Sequence, residues 1–301
     1  VVLDNINLEN LKSLPVIDLQ TAKIVEGKLI FDEGCSVYQA MTDGFFYLKI
    51  PENINLESGY KFCRNFYKNK NNSKEDPYKG FKNFKKDDLC QGYFDNEYDQ
   101  WEQFFLISHN WKRFLPIELN MLGIKLEKLG IDILKSILET IGVPQSYWKK
   151  GTGGLTEYLG FTFLGFSHFR SQKKGLRGSK FHRDLGWITI LASNKPGLVT
   201  ILNDTIFAIN PKDNYFIINF GSTMEVFTQK TNTPIRANVH GVISINNSTE
   251  EDDRVSFVTL FDSNFKENVY QYQDNQLFFI ETMQEFVDRE IERTYSYNNK
   301  L

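Results

Sequence analysis

From position 187 to position 261 the chain alternates short apolar runs with turn-forming clusters, and this rhythm restricts the fold more than any other feature. The runs occupy 187–191, 199–202, 205–209 and 215–220, each rich in Ile, Val, Thr and Phe. Asn194-Lys195-Pro196-Gly197, Asn203-Asp204 and Asn210-Pro211-Lys212-Asp213-Asn214 separate them. Regularly spaced β-rich runs with such turns predict a sandwich or barrel, and a jelly roll brings residues distant in sequence together at its mouth.

Chemistry-bearing residues frame this stretch. His182-Arg183-Asp184 precedes it, and Val239-His240-Gly241 and Arg254-Val255-Ser256 follow the third turn cluster. On a strand, residues two apart share a face, so His182 and Asp184 point into one interior while Arg183 points away. Two imidazoles and one carboxylate suit a non-haem Fe(II) centre, because three protein ligands leave the other positions open for substrate and oxygen. The same parity puts Arg254 and Ser256 on one face, a fixed cation beside a hydroxyl, suited to gripping a carboxylate. Each part alone is common; order and context carry the argument.

With these residues in place, the chain resembles the isopenicillin N synthase-like family of Fe(II)- and 2-oxoglutarate-dependent oxygenases. Matching segments are His182-Arg183-Asp184, Gly197-Leu198, Asn219-Phe220-Gly221-Ser222, His240-Gly241-Val242 and Arg254-Val255-Ser256. Upstream, residues 14–19, Asp43-Gly44-Phe45-Phe46-Tyr47-Leu48 with Ile50-Pro51, and Tyr93-Phe94 with Asp99-Gln100-Trp101 are also similar to the family pattern. The resemblance implies a mixed α and β chain with a double-stranded β-helix (jelly-roll, cupin-like) core flanked by helices. It implies one oxygenase domain over 1–301: a mostly helical part with edge strands (1–150), the jelly-roll core (151–265) and a C-terminal helical segment (266–301).

It further implies that His182, Asp184 and His240 hold Fe(II), and that Arg254 and Ser256 bind the distal carboxylate of 2-oxoglutarate. O2 then oxidises an unactivated C–H of a small carboxylate- or amine-bearing metabolite. Hydroxylation, desaturation and the oxidative ring closure of kainoid synthase-like secondary metabolism all stay open. Where relatives carry an Asn-Tyr-Tyr-Pro-like run, this chain reads Ser167-His168-Phe169-Arg170. His168 stands there either as a replacement donor to the co-substrate or as a core histidine. Arg170 is a candidate for a substrate carboxylate, and Phe163, Trp187 and Phe261 for the pocket wall. Two other classes fit the same residues: an Fe(II) oxidase or cyclase that draws its electrons from substrate alone, and a catalytically silent jelly-roll binding module.

Outside the core, apolar residues recur at threes and fours from 117 to 141, predicting one long scaffold helix ended by Gly142-Val143-Pro144. Helices are also expected over 31–41, 56–70 and 277–295. Residues 68–88 are rich in Lys and Asn, but interspersed acids favour a solvated loop anchored by its aromatics over a nucleic-acid surface; a lid over the site is the third reading. The acidic connection 246–253 reads as an exposed hairpin tip. A formal net charge of -3 gives nucleic acid and anionic membranes no purchase. Cys35, Cys63 and Cys90, an odd count without ligand spacing, are expected as free thiols. With no leader and no bilayer-length apolar run in the numbered chain, a cytoplasmic monomer acting on a small molecule is expected.

Overall fold

A computed structural model describes residues 13–70, 76–173, 176–244 and 253–296. Among these residues, fifteen strands are distributed over two facing sheets and a hairpin. The larger sheet uses β1 (Thr21–Val25), β2 (Lys28–Phe31), β3 (Phe45–Lys49), β4 (Gly92–Asp95), β5 (Trp101–Ile107) and β6 (Phe161–Phe169). It also holds β8 (Ile188–Ser193), β11 (Tyr215–Phe220) and β13 (Arg254–Asp262), in the order β2-β1-β3-β11-β8-β13-β6-β5-β4. The smaller sheet, ordered β10-β9-β12-β7, contains β7 (Ser179–His182), β9 (Leu198–Leu202), β10 (Thr205–Ile209) and β12 (His240–Val242). Chain order crossing repeatedly between the two sheets is the double-stranded β-helix expected from the spacing of runs and turns.

The turns explain the tightness of the hairpins. Asn203 and Asp204, between β9 and β10, both adopt left-handed backbone (φ 48° and 60°). Two such residues in a row make a mirror-image turn whose twist matches the flanking strands, and Asn and Asp tolerate it.

Seven α-helices among the described residues accompany the sheets: α1 (Val37–Asp43), α2 (Glu57–Cys63), α3 (Ser108–Phe114), α4 (Ile117–Thr140), α5 (Gln145–Gly151), α6 (Ser222–Thr228) and α7 (Met283–Ser296). The helix α4 is the predicted scaffold, burying Leu119, Leu122, Leu126, Leu129, Ile133 and Ile137. It lies close against the larger sheet because two of its residues have no side chain. A Cβ at Gly130 would stand 2.0 Å from the Phe261 ring, and one at Gly123 2.6 Å from Trp111. Strand parity sorts the sheet accordingly: Phe104, Leu164, Phe166, Phe257 and Phe261 belong to this helix-side core.

Some expectations differ from what formed. Residues 28–31 are a strand and α1 begins only at Val37, so residues 13–50 hold two strands, a helix and a third strand. The predicted 56–70 helix ends at Cys63. The expected C-terminal helix over 277–295 begins instead with β15 (Gln276–Thr282), paired to β14 (Asn268–Gln273), before α7 starts. Asp274 and Asn275, again with φ of 50° and 58°, make that hairpin's turn. In the Lys/Asn-rich stretch, Tyr78 and Phe81 are buried in the core as anchors, while 71–75 lie outside the described residues. The tip 245–252 also lies outside them. No helix among the described residues is long and apolar enough to cross a membrane.

Candidate metal and co-substrate site

The two histidines meet because their strands are neighbours: β12 pairs with β7 with His240 opposite His182. Their rings lie 4.6 Å apart between centroids. His182 Nδ1 faces the Lys180 carbonyl at 3.0 Å, and His240 Nδ1 faces the Asn238 carbonyl at 3.1 Å. A carbonyl only accepts, so each Nδ1 carries the hydrogen and each Nε2 keeps its lone pair. Those Nε2 atoms stand 3.5 and 3.7 Å from Asp184 Oδ1.

Asp184 follows β7 by two residues and is oriented from its other oxygen. Thr189 Oγ1 (2.6 Å) and Asn219 Nδ2 (2.7 Å) both donate to Oδ2, leaving Oδ1 turned toward the imidazoles. Burial on its own would raise this carboxyl. The His240 and His182 rings and the Thr189 hydroxyl outweigh it and hold Asp184 well below the usual carboxylate range. Three ligand atoms from His182, Asp184 and His240 lie within 4.8 Å of one another, the only such metal-capable cluster among the described residues. The donor set, two neutral nitrogens and one carboxylate oxygen with both tautomer and rotamer fixed by outer partners, fits Fe(II).

Arg254 and Ser256 project from β13 into the same cavity. Arg254 is 1% exposed, donates from Nε to the Lys195 carbonyl (3.2 Å) and from an Nη to Ser256 Oγ (3.3 Å), and lies over the Phe169 ring at 4.7 Å. It makes no ion pair among the described residues, and burial pushes it down to about 10, still charged at neutral pH. A buried guanidinium with hydrogen-bond partners but no counter-charge is chemically suited to a carboxylate. Gly197, left-handed at φ 134°, passes beside its alkyl chain, where a Cβ would stand 3.4 Å from Cδ.

The cavity holding these groups measures about 360 Å³ and is walled by both sheets, with Phe45, Phe105, Leu191 and Val258 among its apolar lining. That size lies near the lower end of the ~300–1,000 Å³ usual for small-molecule sites. A wider cleft of about 560 Å³ lies beside α7, but no triad residue lines it and its Arg289 and Arg293 already face Glu290.

Not every sequence-predicted residue arrives here. His168 sits on the opposite face of β6, with Nδ1 against Glu102 (2.8 Å), Nε2 against Asp253 (2.7 Å) and its ring stacked on Tyr67. Both nitrogens are taken, so it offers a co-substrate nothing. Asp253 therefore bonds His168 and Ser171, whereas Arg254 beside it in sequence points inward. Arg170 is likewise engaged outside the cavity, paired to Asp95 and Glu102. Trp187 is fully buried, donating to Ser263 Oγ and packing on Phe227, and does not border the cavity. Phe163 does not border it either. Phe261 does, yet its ring packs toward α4.

Three contributors were given no role in the sequence: Thr189 and Asn219, which orient Asp184 (Asn219 read only as part of the segment Asn219-Phe220-Gly221-Ser222), and Asp262, which borders the cavity. Asp262 could have been found, because the parity that selects Arg254 and Ser256 runs on to position 262.

A jelly roll carrying a two-histidine, one-carboxylate cluster beside a buried arginine defines a class, and the sequence comparison agrees. Residues 162–263 match the 2OG-Fe(II) oxygenase superfamily, so the stretch from β6 to just past β13 is a domain of that superfamily. The enzyme is an Fe(II)- and 2-oxoglutarate-dependent dioxygenase, with Fe(II), 2-oxoglutarate and O2 as its cofactors. No curated protein matches the chain closely enough to count as a relative.

Solved structures share the fold. A full-length Neurospora crassa protein crystallised with alpha-KG superposes with a TM-score of 0.64 at 15% identity, over 91% of this chain and 100% of that one. JOX2 in complex with 2OG, Fe and JA gives 0.66 at 16%, over 92% and 86%. AtDAO1, the dioxygenase for auxin oxidation 1 from Arabidopsis thaliana, gives 0.57 at 18%, over 91% and 99%. At such identities the likeness is one of architecture.

Proposed function

We propose that His182, Asp184 and His240 hold the Fe(II), that Arg254 with Ser256 receives the distal carboxylate of 2-oxoglutarate, and that the enzyme oxidises an unactivated C–H of a small carboxylate- or amine-bearing metabolite. The observation that carries this reading is the convergence of the three ligand atoms within 4.8 Å at the mouth of a jelly roll. Bound iron and 2-oxoglutarate supply the oxidising power drawn from O2; the protein supplies position and dryness. His182 and His240 present lone pairs because the Lys180 and Asn238 carbonyls hold their hydrogens. Arg254, desolvated and unpaired among the described residues, gains from a carboxylate what it lost on burial.

The apolar wall favours a small substrate, and hydroxylation, desaturation and ring closure remain within its reach. Neighbours crystallised with thymine or JA, or named for auxin oxidation, support a small-molecule substrate. The Gly44-Phe45-Phe46 motif opening β3 and the Arg254-Val255-Ser256 triplet favour the isopenicillin N synthase-like branch.

The test is a spectrum. Anaerobic protein is mixed with Fe(II) and then 2-oxoglutarate; a new visible charge-transfer band, absent in His182→Ala, is expected. Iron binding without the band would remove the co-substrate assignment, and no iron binding would remove the triad. In Arg254→Ala the band is expected only at a 2-oxoglutarate concentration raised at least tenfold.

A further inference from the structure

Among the described residues, every buried acid but one has a partner. Asp99 pairs with Arg177, Glu102 with His168 and Arg170, and Glu290 with Arg289. Asp262 is buried to the same degree, 6% exposed, yet no described residue offers its carboxyl a hydrogen bond or a counter-charge, and its Oδ1 is sealed from solvent without a donor. Gly186 is shaped around it: a Cβ there would stand 2.5 Å from that Oδ1 and 2.2 Å from the Phe261 carbonyl.

The strand aims this acid at the active cavity. Along β13, Arg254, Ser256, Val258, Leu260 and Asp262 all border it, while Phe257 packs on the helix side. Leu260 lies opposite Thr189 in the sheet, and Thr189 holds Asp184. The triad therefore stands level with Leu260 in this row, with Ser256 and Arg254 toward one end and Asp262 the next inward position at the other. Ser256 and Asp262 are six residues apart, about 20 Å along a strand that rises ~3.3 Å per residue. A co-substrate held at Arg254 and reaching the triad leaves the Asp262 end for a second molecule.

Taking the cavity as the oxygenase active site, we propose that Asp262 anchors the substrate by accepting an N–H bond from a positively charged amine at Oδ2, the oxygen not sealed against Gly186. A carboxyl held without a donor is costly to a fold and useful to a site, because the missing partner is then supplied by the ligand. An ammonium group supplies both things Asp262 lacks, a donor and a positive charge. The surroundings at that end, Ile188 and Leu260, suit an apolar body on the same molecule. The substrate class is thus a small aliphatic or aromatic amine, with the oxidised carbon between the amine and the triad.

The experiment titrates wild type, Asp262→Asn and Asp262→Leu with n-hexylamine, n-hexanol and hexanoate as probes. Two readouts are taken: calorimetry on metal-free protein, and the change in the anaerobic Fe(II)–2-oxoglutarate absorption. Wild type is expected to bind hexylamine at least tenfold more tightly than hexanol, and both variants to lose that preference while keeping 2-oxoglutarate affinity. Melting temperature is expected to hold or rise in the variants, since an unpartnered buried acid has been removed. Equal binding of amine and alcohol by wild type, or an amine preference that survives in Asp262→Asn, overturns the proposal. Loss of the iron absorption in wild type would instead sink the oxygenase-site assignment, and calorimetry would still decide the amine preference.

Discussion

Asp184 shows how little of a site lies in its ligands alone. One oxygen faces two imidazoles; the other is fixed by Thr189 and Asn219 from two adjacent strands of the larger sheet. Outer partners of this kind typically contribute ~10–100-fold in metal affinity. Thr189→Val removes a hydroxyl at nearly constant volume and is expected to weaken Fe(II) binding about tenfold, measured by competition with a chelator, with melting temperature little changed. Asp184→Ala is expected to abolish turnover and metal-induced stabilisation together; full activity in that variant would disprove the triad. Of these residues only the triad and the Arg254–Ser256 pair were legible in the sequence: His182 with Asp184 and Arg254 with Ser256 are spaced two apart, and His240 followed from its order in the chain and the resemblance to the family pattern. Thr189 and Asn219 were not, since nothing in a sequence says which strands become neighbours. His168 and Arg170 were misplaced for a related reason. Similarity of position along a motif gave them roles that the pleat, placing Ser167 and Phe169 inward instead, denies them.

At the scale of elements, α4 acts on the site through glycine. The Phe261 ring occupies the space a side chain at Gly130 would need, and Phe261 is the residue before Asp262 on β13. Gly130→Ala improves helix propensity by ~1 kcal/mol, yet the clash is with an aromatic ring held in the core. Overpacking of this kind costs ~1–3 kcal/mol. The variant is expected to melt a few degrees lower and, because β13 is displaced, to raise the KM for the organic substrate more than that for 2-oxoglutarate. Gly142→Ala, open around its Cβ but left-handed at φ 77°, is the control: it should lose stability without that kinetic split. The long helix was readable from its stripe of Leu and Ile, whereas the C-terminal hairpin was not. Leu277, Phe278, Phe279 and Ile280 look like the apolar part of a helix until Asp274-Asn275 is given its weight as a two-residue turn.

The whole molecule is tied together where the N-terminal strands, the core and the approach to β13 meet, and there a charge network spans them. Glu102 on β5, His168 on β6 and Asp253 just before β13 share one imidazole. Burial alone would lower His168; the hydrogen bonds and charges of Asp253 and Glu102 outweigh it and raise His168 above 6.5. Burial would raise both acids, yet His168 with Tyr93 and Arg170 outweighs it at Glu102, and His168 with Ser171 outweighs it at Asp253, so Glu102 is held below 4.5 and Asp253 below 3.8. The signs then set a window. The histidine's contribution is complete below 6.5 and fades as pH rises through its raised folded value. The carboxylates' contribution is complete above about 4.5 and fades as pH falls through their depressed ones. Breaking a buried pair costs ~3–5 kcal/mol, or roughly 5–10 °C in a protein of this size. His168→Gln is therefore expected to lower the melting temperature most between about pH 4.5 and 6.5, with the gap from wild type narrowing on both sides. Melting curves of both proteins across pH 3.5 to 9 measure that gap directly, and a constant gap would mean that His168 holds the strands by packing on Tyr67 rather than by charge.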